Sequence, residues 1–276
     1  MLNSINTNNS ALIALQALGR SKSALATTER RVSTGQAVAS SKDNGAIWAV
    51  AQGQRSQSKA LDAVTGGLQR TKSILDVTLT ATQQLSDMMI GMKQLLLGFS
   101  DTSFSTQGRQ GIANDYNALI ERWDPIVEGA TFDGANLLSV NYSRTIDVPL
   151  DTSGTDRLVI EGRMLTNYEN DVALNPLDLT LTDTDLTSRR NDLDQSLRGL
   201  DLNIRDFGTR ARLLDKQIAF SLKLKDAIDT GVGNLVDADM GKESAKLVAG
   251  QAKQQLGVQA LSVASQSTAY LQSLFR

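Results

Sequence analysis

Apolar residues recur along most of this 276-residue chain at alternating intervals of three and four, the mark of helices that bury one stripe. The clearest seam runs through Leu61, Val64, Leu68, Thr71, Leu75, Thr78, Thr82, Leu85, Met89, Met92 and Leu96. Sustained over 36 residues, it predicts a single helix about 54 Å long that packs as in a coiled coil. Gly66-Gly67 weakens the helix locally, and the threonines make the seam an interface of modest strength. A second seam of this kind passes through Leu193, Leu197, Leu200, Ile204, Phe207, Ala211, Leu214 and Ile218. Two such stripes bury each other best as neighbouring helices, so the chain is expected to fold back on itself.

Between the seams lies a shorter helical pattern. After a loop at Ser100 to Gln107, the residues Ile112, Tyr116, Leu119, Trp123 and Ile126 point inward, with an end expected near Pro125 and Gly129. Phe132-Asp133-Gly134 reads as a turn. From 141 to 182 the period changes to two. Ile146, Val148 and Leu150 alternate with polar residues, Leu158 to Ile160 is an apolar run with β-branched residues, and the stretch Asp151 to Asp156 between them contains Gly154. Together they predict a hairpin. Leu177, Leu179 and Leu181 alternate again, which extends the expected β patch.

The two ends of the chain share a different peculiarity. Residues 1–19 and 254–275 contain no charged side chain, although Asp, Glu, Lys and Arg make up 21% of the whole. Ala11, Leu15, Leu18, Leu25 and Val32 follow helical spacing, interrupted at Lys22 and Glu29; Val258, Leu261, Ala264, Thr268, Leu271 and Phe275 form a similar stripe. Ends that are uncharged and apolar on one face are built to pack against something. The candidate packing residues are Ile5, Leu12, Leu15, Leu18, Leu25, Val32, Leu247, Val258, Leu261, Leu271, Leu274 and Phe275. No basic residue precedes Arg20, which argues against a cleaved secretion signal. Asn, Gln, Ser and Thr are too dense at both ends for a membrane span.

Composition narrows the chemistry. There is no Cys and no His, which excludes zinc fingers, Cys-His or Ser-His-Asp nucleophilic sites and disulfide frameworks. The carboxylates are spread along helical surfaces, so neither catalysis nor a cofactor or metal is expected. Aromatic residues are 4% and prolines number three, a composition of long helices. Formal net charge is −2, which gives no reason to expect nucleic acid or a membrane surface as a partner. Charge is uneven, however: residues 141–188 carry nine Asp or Glu against three Arg and should face solvent.

The expected fold is therefore mainly α, a long antiparallel helical bundle or coiled coil with a small β-hairpin patch and paired N- and C-terminal helices. Residues 1–40 and 236–276 would be terminal arms, and 41–235 a helical body carrying the hairpin near 141–182.

Particular residues at both ends resemble bacterial flagellin. They are Leu2-Asn3-Ser4-Ile5-Asn6-Thr7-Asn8, Glu29-Arg30-Arg31-Val32-Ser33-Thr34-Gly35 and Ser40-Ser41-Lys42-Asp43-Asn44-Gly45-Ala46. At the other end they are Gly233-Asn234-Leu235-Val236-Asp237-Ala238-Asp239-Met240, Lys242-Glu243-Ser244-Ala245-Lys246-Leu247 and Gln254-Gln255-Leu256-Gly257-Val258-Gln259-Ala260-Leu261. The detail is similar to flagellins of alphaproteobacteria. The resemblance implies a self-assembling filament subunit whose arms are disordered alone and pair as helices in the polymer. It also implies unfolded export through the flagellar apparatus with a chaperone, and contacts with hook-associated and cap proteins. In that reading Gly35, Lys42, Asp43, Asn44 and Gly45 link arm to body, with Gly35 and the Asn44-Gly45 pair supplying a bend through positive backbone φ. Two alternatives stay open at this point: a hook-filament junction protein, which shares the terminal pattern, and a surface polysaccharide-binding protein, which would need an aromatic-lined groove.

Overall fold

The computed structural model describes residues 8–139, 145–165 and 174–273, the last seven as backbone only. The order of elements is α1 Asn9–Thr34, α2 Gly45–Phe99, α3 Thr106–Gly129, β1 Thr145–Pro149, β2 Arg157–Glu161, α4 Asp183–Val236 and α5 Met240–Ser273. The chain divides into two compact units, Lys59–Lys225 and Met1–Ser58 with Asp226–Arg276.

In the unit Lys59–Lys225, every residue of the predicted α2 seam from Leu61 to Leu96 is buried, and the seam continues to Phe99. Its threonines are compatible with burial because they return their hydroxyl protons to the helix. Thr71 donates to the Gly67 carbonyl at 2.9 Å, Thr78 to Ile74 at 2.8 Å and Thr82 to Thr78 at 2.7 Å. What faces the core is then a methyl group. The α4 seam joins the same core through Leu193, Leu200, Phe207, Ala211 and Leu214, with Leu197, Ile204 and Ile218 partly buried. Ion pairs show the two helices to be antiparallel: Asp62 meets Lys225 at 3.8 Å, Lys72 meets Asp215 at 3.1 Å and Lys93 meets Asp194 at 2.5 Å. Each step along α2 is matched by an equal step back along α4. The helix starts are capped as their sequences suggest. Ser105 accepts from the Gly108 N–H, and Thr182 and Asp185 form a reciprocal box at the head of α4.

Helix α3 buries Ala113, Tyr116, Trp123 and Val127, with Ile112, Leu119 and Ile126 partly covered. It runs through Pro125 to Gly129, so the proline does not end it. The turn at Phe132-Asp133-Gly134 forms as expected: Asp133 and Gly134 have φ of 50° and 75°, and Phe132 and Ala135 exchange backbone hydrogen bonds at 3.0 Å.

The hairpin is antiparallel, with Ile146 opposite Ile160 and Val148 opposite Leu158. Val148 and Ile160 are buried and their strand neighbours are exposed or half-exposed, the alternation of a one-sided sheet. One expectation fails here. Leu177, Leu179 and Leu181 are not a strand. The Asn117 side chain occupies the backbone of Leu177 on both sides, accepting its N–H at 2.8 Å and donating to its carbonyl at 3.0 Å. A side-chain amide thus replaces the ladder that a strand partner would supply. Leu177 is buried by this docking, and Leu179 is exposed.

Candidate self-assembly interface

The other unit holds both ends of the chain, and its main feature is the antiparallel pair α1 and α5. Helix α1 starts at Asn8, whose side-chain oxygen accepts the Ala11 N–H at 2.9 Å while its amide donates to the Ala264 carbonyl of α5 at 2.7 Å. One residue therefore caps one helix and ties it to the other. At its far end Thr34 is followed by Gly35 at φ 70°, the left-handed conformation that glycine adopts without cost at a helix C-terminus.

Leu18 and Leu25 are the large apolar side chains that α1 buries, together with Thr28. Each lies over a glycine of α5. A Cβ built on Gly250 would sit 3.0 Å from Leu25 Cδ1, and one on Gly257 would sit 3.1 Å from Leu18 Cδ1. Two leucines seven residues apart thus enter two gaps seven residues apart, knobs into holes formed by missing side chains. On α5 the inward positions are Glu243, Leu247, Gly250, Gln254, Gly257, Leu261 and Ala264, spaced four and three throughout.

The predicted packing residues separate into groups. Leu18 and Leu25 are buried, and Val32, Leu247 and Leu261 are half-buried on the α1–α5 seam. Leu12, Leu15 and Val258 point away from it and are 52%, 54% and 53% exposed. Ile5, Leu274 and Phe275, and the side chain of Leu271, lie outside the described residues. Sequence reading placed Leu15 and Val258 on the inward stripe, and both placements are off by part of a turn. It looked for apolar residues facing each other, whereas here the partner of each leucine is a glycine. The seven-residue spacing shared by Leu18/Leu25 and Gly250/Gly257 was the available signal.

The outward faces are apolar as well. Besides Leu12, Leu15 and Val258, Ile13, Val248, Leu256 and Val263 are each at least 64% exposed. No helix among the described residues is long and apolar enough to cross a membrane.

The two connectors meet beside this pair. Gln36 and Asp237 form an antiparallel bridge, Ala37 N–H donates to the Val236 carbonyl at 2.7 Å and Ala238 N–H to the Gly35 carbonyl at 2.9 Å. Below them Val38, Ala51, Val232 and Val236 make a small core flanked by Ile47, Trp48 and Ile228. Asp43 gathers the linker: it accepts from Ala39 N–H at 3.2 Å, Ser40 N–H at 3.1 Å and the Ser40 hydroxyl at 3.1 Å, and it pairs with Arg30 at 2.7 Å. Desolvation raises its pKa, but the Ser40 hydrogen bond and the Arg30 charge outweigh it and hold the carboxyl below its ordinary value. Lys42 is exposed. The expected positive φ at Asn44-Gly45 is absent. Asn44 instead caps α2, accepting the Ile47 N–H at 3.1 Å, so Gly45 is already helical. A capping side chain at Asn44 makes a left-handed bend there unnecessary.

A charged cluster closes the seam next to the connectors. Glu243 is 5% exposed, receives a hydrogen bond from Lys246 at 2.7 Å and faces Arg31 at 3.5 Å. The Lys246 hydrogen bond, helped by the charges of Lys246 and Arg31, overcomes desolvation and holds the Glu243 carboxyl below its ordinary value. Sequence reading did not single out this cluster.

Comparison with known proteins gives the pair a context. Residues 5–143 match the bacterial flagellin N-terminal helical region. The flagellin FljK of Caulobacter vibrioides is 39% identical, over 100% of this chain and 99% of the relative. The chain belongs to the bacterial flagellin family. The Brucella melitensis flagellin is 32% identical over 99% of both chains, and flagellin C of Rhizobium meliloti is 27% identical over the whole of both. These are alphaproteobacterial proteins, as the terminal residues suggested. As a flagellin, the chain is a structural subunit of the flagellar filament and not an enzyme. A flagellar hook-associated protein of Vibrio parahaemolyticus shares the fold, with a TM-score of 0.60 over 71% of this chain and 100% of that one, at 12% identity. That likeness concerns fold alone, and full-length similarity to flagellins does not favour the junction-protein alternative.

Proposed function

We propose that this flagellin polymerises through its two ends, residues 1–40 and 236–276, which act as arms on a helical body of residues 41–235. The observation that carries this reading is the double-sidedness of α1 and α5. They pair through Leu18 and Leu25 on Gly250 and Gly257, yet Leu12, Ile13, Leu15, Val248, Leu256, Val258 and Val263 stay on the outside. Apolar side chains exposed to this extent, on helices that carry no charge over 9–19 and 254–273, need further cover, and another copy of the same pair supplies it. Ile5, Leu271, Leu274 and Phe275 belong to the same arms by sequence, and their apolar side chains are part of this reading. Each copy uses different surfaces above and below, so the contact is heterologous and grows without closing. Isolated arms are marginal in water, and ordering them is coupled to assembly.

Gly35, Lys42, Asp43, Asn44 and Gly45 join arm to body in this scheme. The protein leaves the cell unfolded through the flagellar export apparatus, escorted by a chaperone, and adds to an extracellular filament bounded by hook-associated and cap proteins. Absence of cysteine suits that route, since no disulfide delays folding after export.

Deletion of residues 255–276 is the test. Electron microscopy of seeded preparations should find no elongation, while circular dichroism shows the body still folded. Filaments formed by the truncated chain would sink the proposal. Leu261→Asp should act in the same direction, because it puts an unpaired carboxylate into the seam.

A further inference from the structure

The seam between α1 and α5 has an ambiguous shape. Leu18 and Leu25 are seven residues apart, and so are Gly250 and Gly257, so sliding one helix by a heptad preserves much of the fit. In one direction Leu25 meets Gly257 and Leu18 meets Ala264, which is also small. In the other, Leu18 meets Gly250 and Leu25 meets Glu243. Backbone bonds between the connectors hold the entrance of the pair, but any sequence can make them, so they impose no side-chain preference as the arms anneal.

Glu243 breaks the tie in both directions. In the observed register it occupies a seam position with Lys246 at 2.7 Å and Arg31 at 3.5 Å. The first slip carries it past Arg31, and the second presses its carboxylate against Leu25. The cluster is not optimised for strength: Glu243 Oε2 and Arg31 Nε are buried with no hydrogen-bond partner among the described residues. A buried carboxylate held by partly exposed cations, with its hydrogen bonds left incomplete, contributes little net stability, and the best-attested use of such a polar group in paired helices is to fix register. We infer that Glu243, with Arg31 and Lys246, is the positioning element that selects one register for the paired arms.

This inference rests on the reading of α1 and α5 as polymerising arms, and the experiment separates the two. The chain has no cysteine, so spin labels can be placed on the exposed Glu29 and Ser262 through Glu29→Cys and Ser262→Cys. These sites lie far apart along the pair, and a one-heptad slip changes their separation by about 10 Å. Labelled subunits are copolymerised with an excess of unlabelled chain, and distances are read by pulsed electron resonance in the filament. The unmodified seam should give one narrow distance, and Glu243→Leu a second population displaced by about 10 Å. The double change Arg31→Met with Lys246→Met should also add a displaced population, by leaving Glu243 unpaired, and it serves if Glu243→Leu does not polymerise. A single unshifted distance in either variant would overturn the register role while leaving the arm pairing intact. A broad, featureless distribution for the unmodified seam would overturn the pairing itself, and the inference with it.

Discussion

The body and the arms are both antiparallel helices, but they solve the packing problem in opposite ways. In the unit Lys59–Lys225 large side chains fill the interior: Leu68, Leu75, Leu85, Met89, Met92, Leu96, Tyr116, Trp123 and Phe207 are all but fully buried. In the α1–α5 pair, two leucines rest on two glycines and the remaining apolar side chains stand outside or half outside. Large side chains meeting large side chains complete a core within one chain. Leucines meeting glycines bring two backbones close together and leave the outer faces to be covered by something else. A filled core and a helix pair with open apolar faces are thus written with nearly the same hydrophobic period.

Several measurements would break or sharpen this contrast, beginning with the largest expected effect. Trp123→Ala removes the biggest buried ring and orphans the Leu165 carbonyl that its indole N–H holds at 2.5 Å. It should destabilise the body by about 3–5 kcal/mol in denaturant titration. A loss below about 1 kcal/mol would show that the core is looser than its burial suggests. Gly250→Ala places a methyl 3.0 Å from Leu25 Cδ1. It should weaken filaments by about 1–2 kcal/mol per subunit, read as a lower depolymerisation temperature, with the body's own melting unchanged. Equal effects on both would erase the distinction between the regions.

Smaller effects come from titration, with opposite signs in the two regions. In the body, burial pushes the Tyr116 phenol up to about 12, with Arg189 opposing and Asp192 adding. The folded state holds that proton more tightly than the unfolded chain does, so body stability falls as pH rises from the ordinary 10.0 toward about 12. Tyr116→Phe should flatten that decline. In the unit that holds both ends, Glu243 of α5 and Asp43 of the linker are held below their ordinary 4.5 and 3.8. Their contribution is complete above those values and is lost as pH falls through the lowered ones. Filaments should depolymerise in acid before the body unfolds, and Glu243→Gln should shrink the gap between the two transitions. Gly35→Ala comes last. It forces a side chain into φ 70° and should cost about 1 kcal/mol of filament stability, seen in the same depolymerisation scans.

Much of the body could be read from spacing alone. The α2 seam from Leu61 to Leu96 is buried at every residue named, and the hairpin pairs where alternation and Gly154 indicated. A continuous seam over-determines its own face, since a shift by one residue would expose most of it. Leu177 to Leu181 shows the limit of such reasoning. Alternation there was real, yet a distant asparagine took the backbone bonds that a strand partner would have made. Asn44 likewise turned from bend to cap because its side chain reached the Ile47 N–H.

The chain's own letters determined that it would be helical, that it would fold back on itself, and that its ends would be free of charge, because period and polarity are properties of neighbours along the backbone. Only the tertiary structure decided which side of each end faces the other. Glycine contributes nothing to a hydrophobic stripe, so Gly250 and Gly257 are invisible to periodicity until Leu25 and Leu18 are seen lying on them. For the same reason Glu243 reads as an ordinary surface acid until Arg31, more than two hundred residues away in sequence, is found beside it.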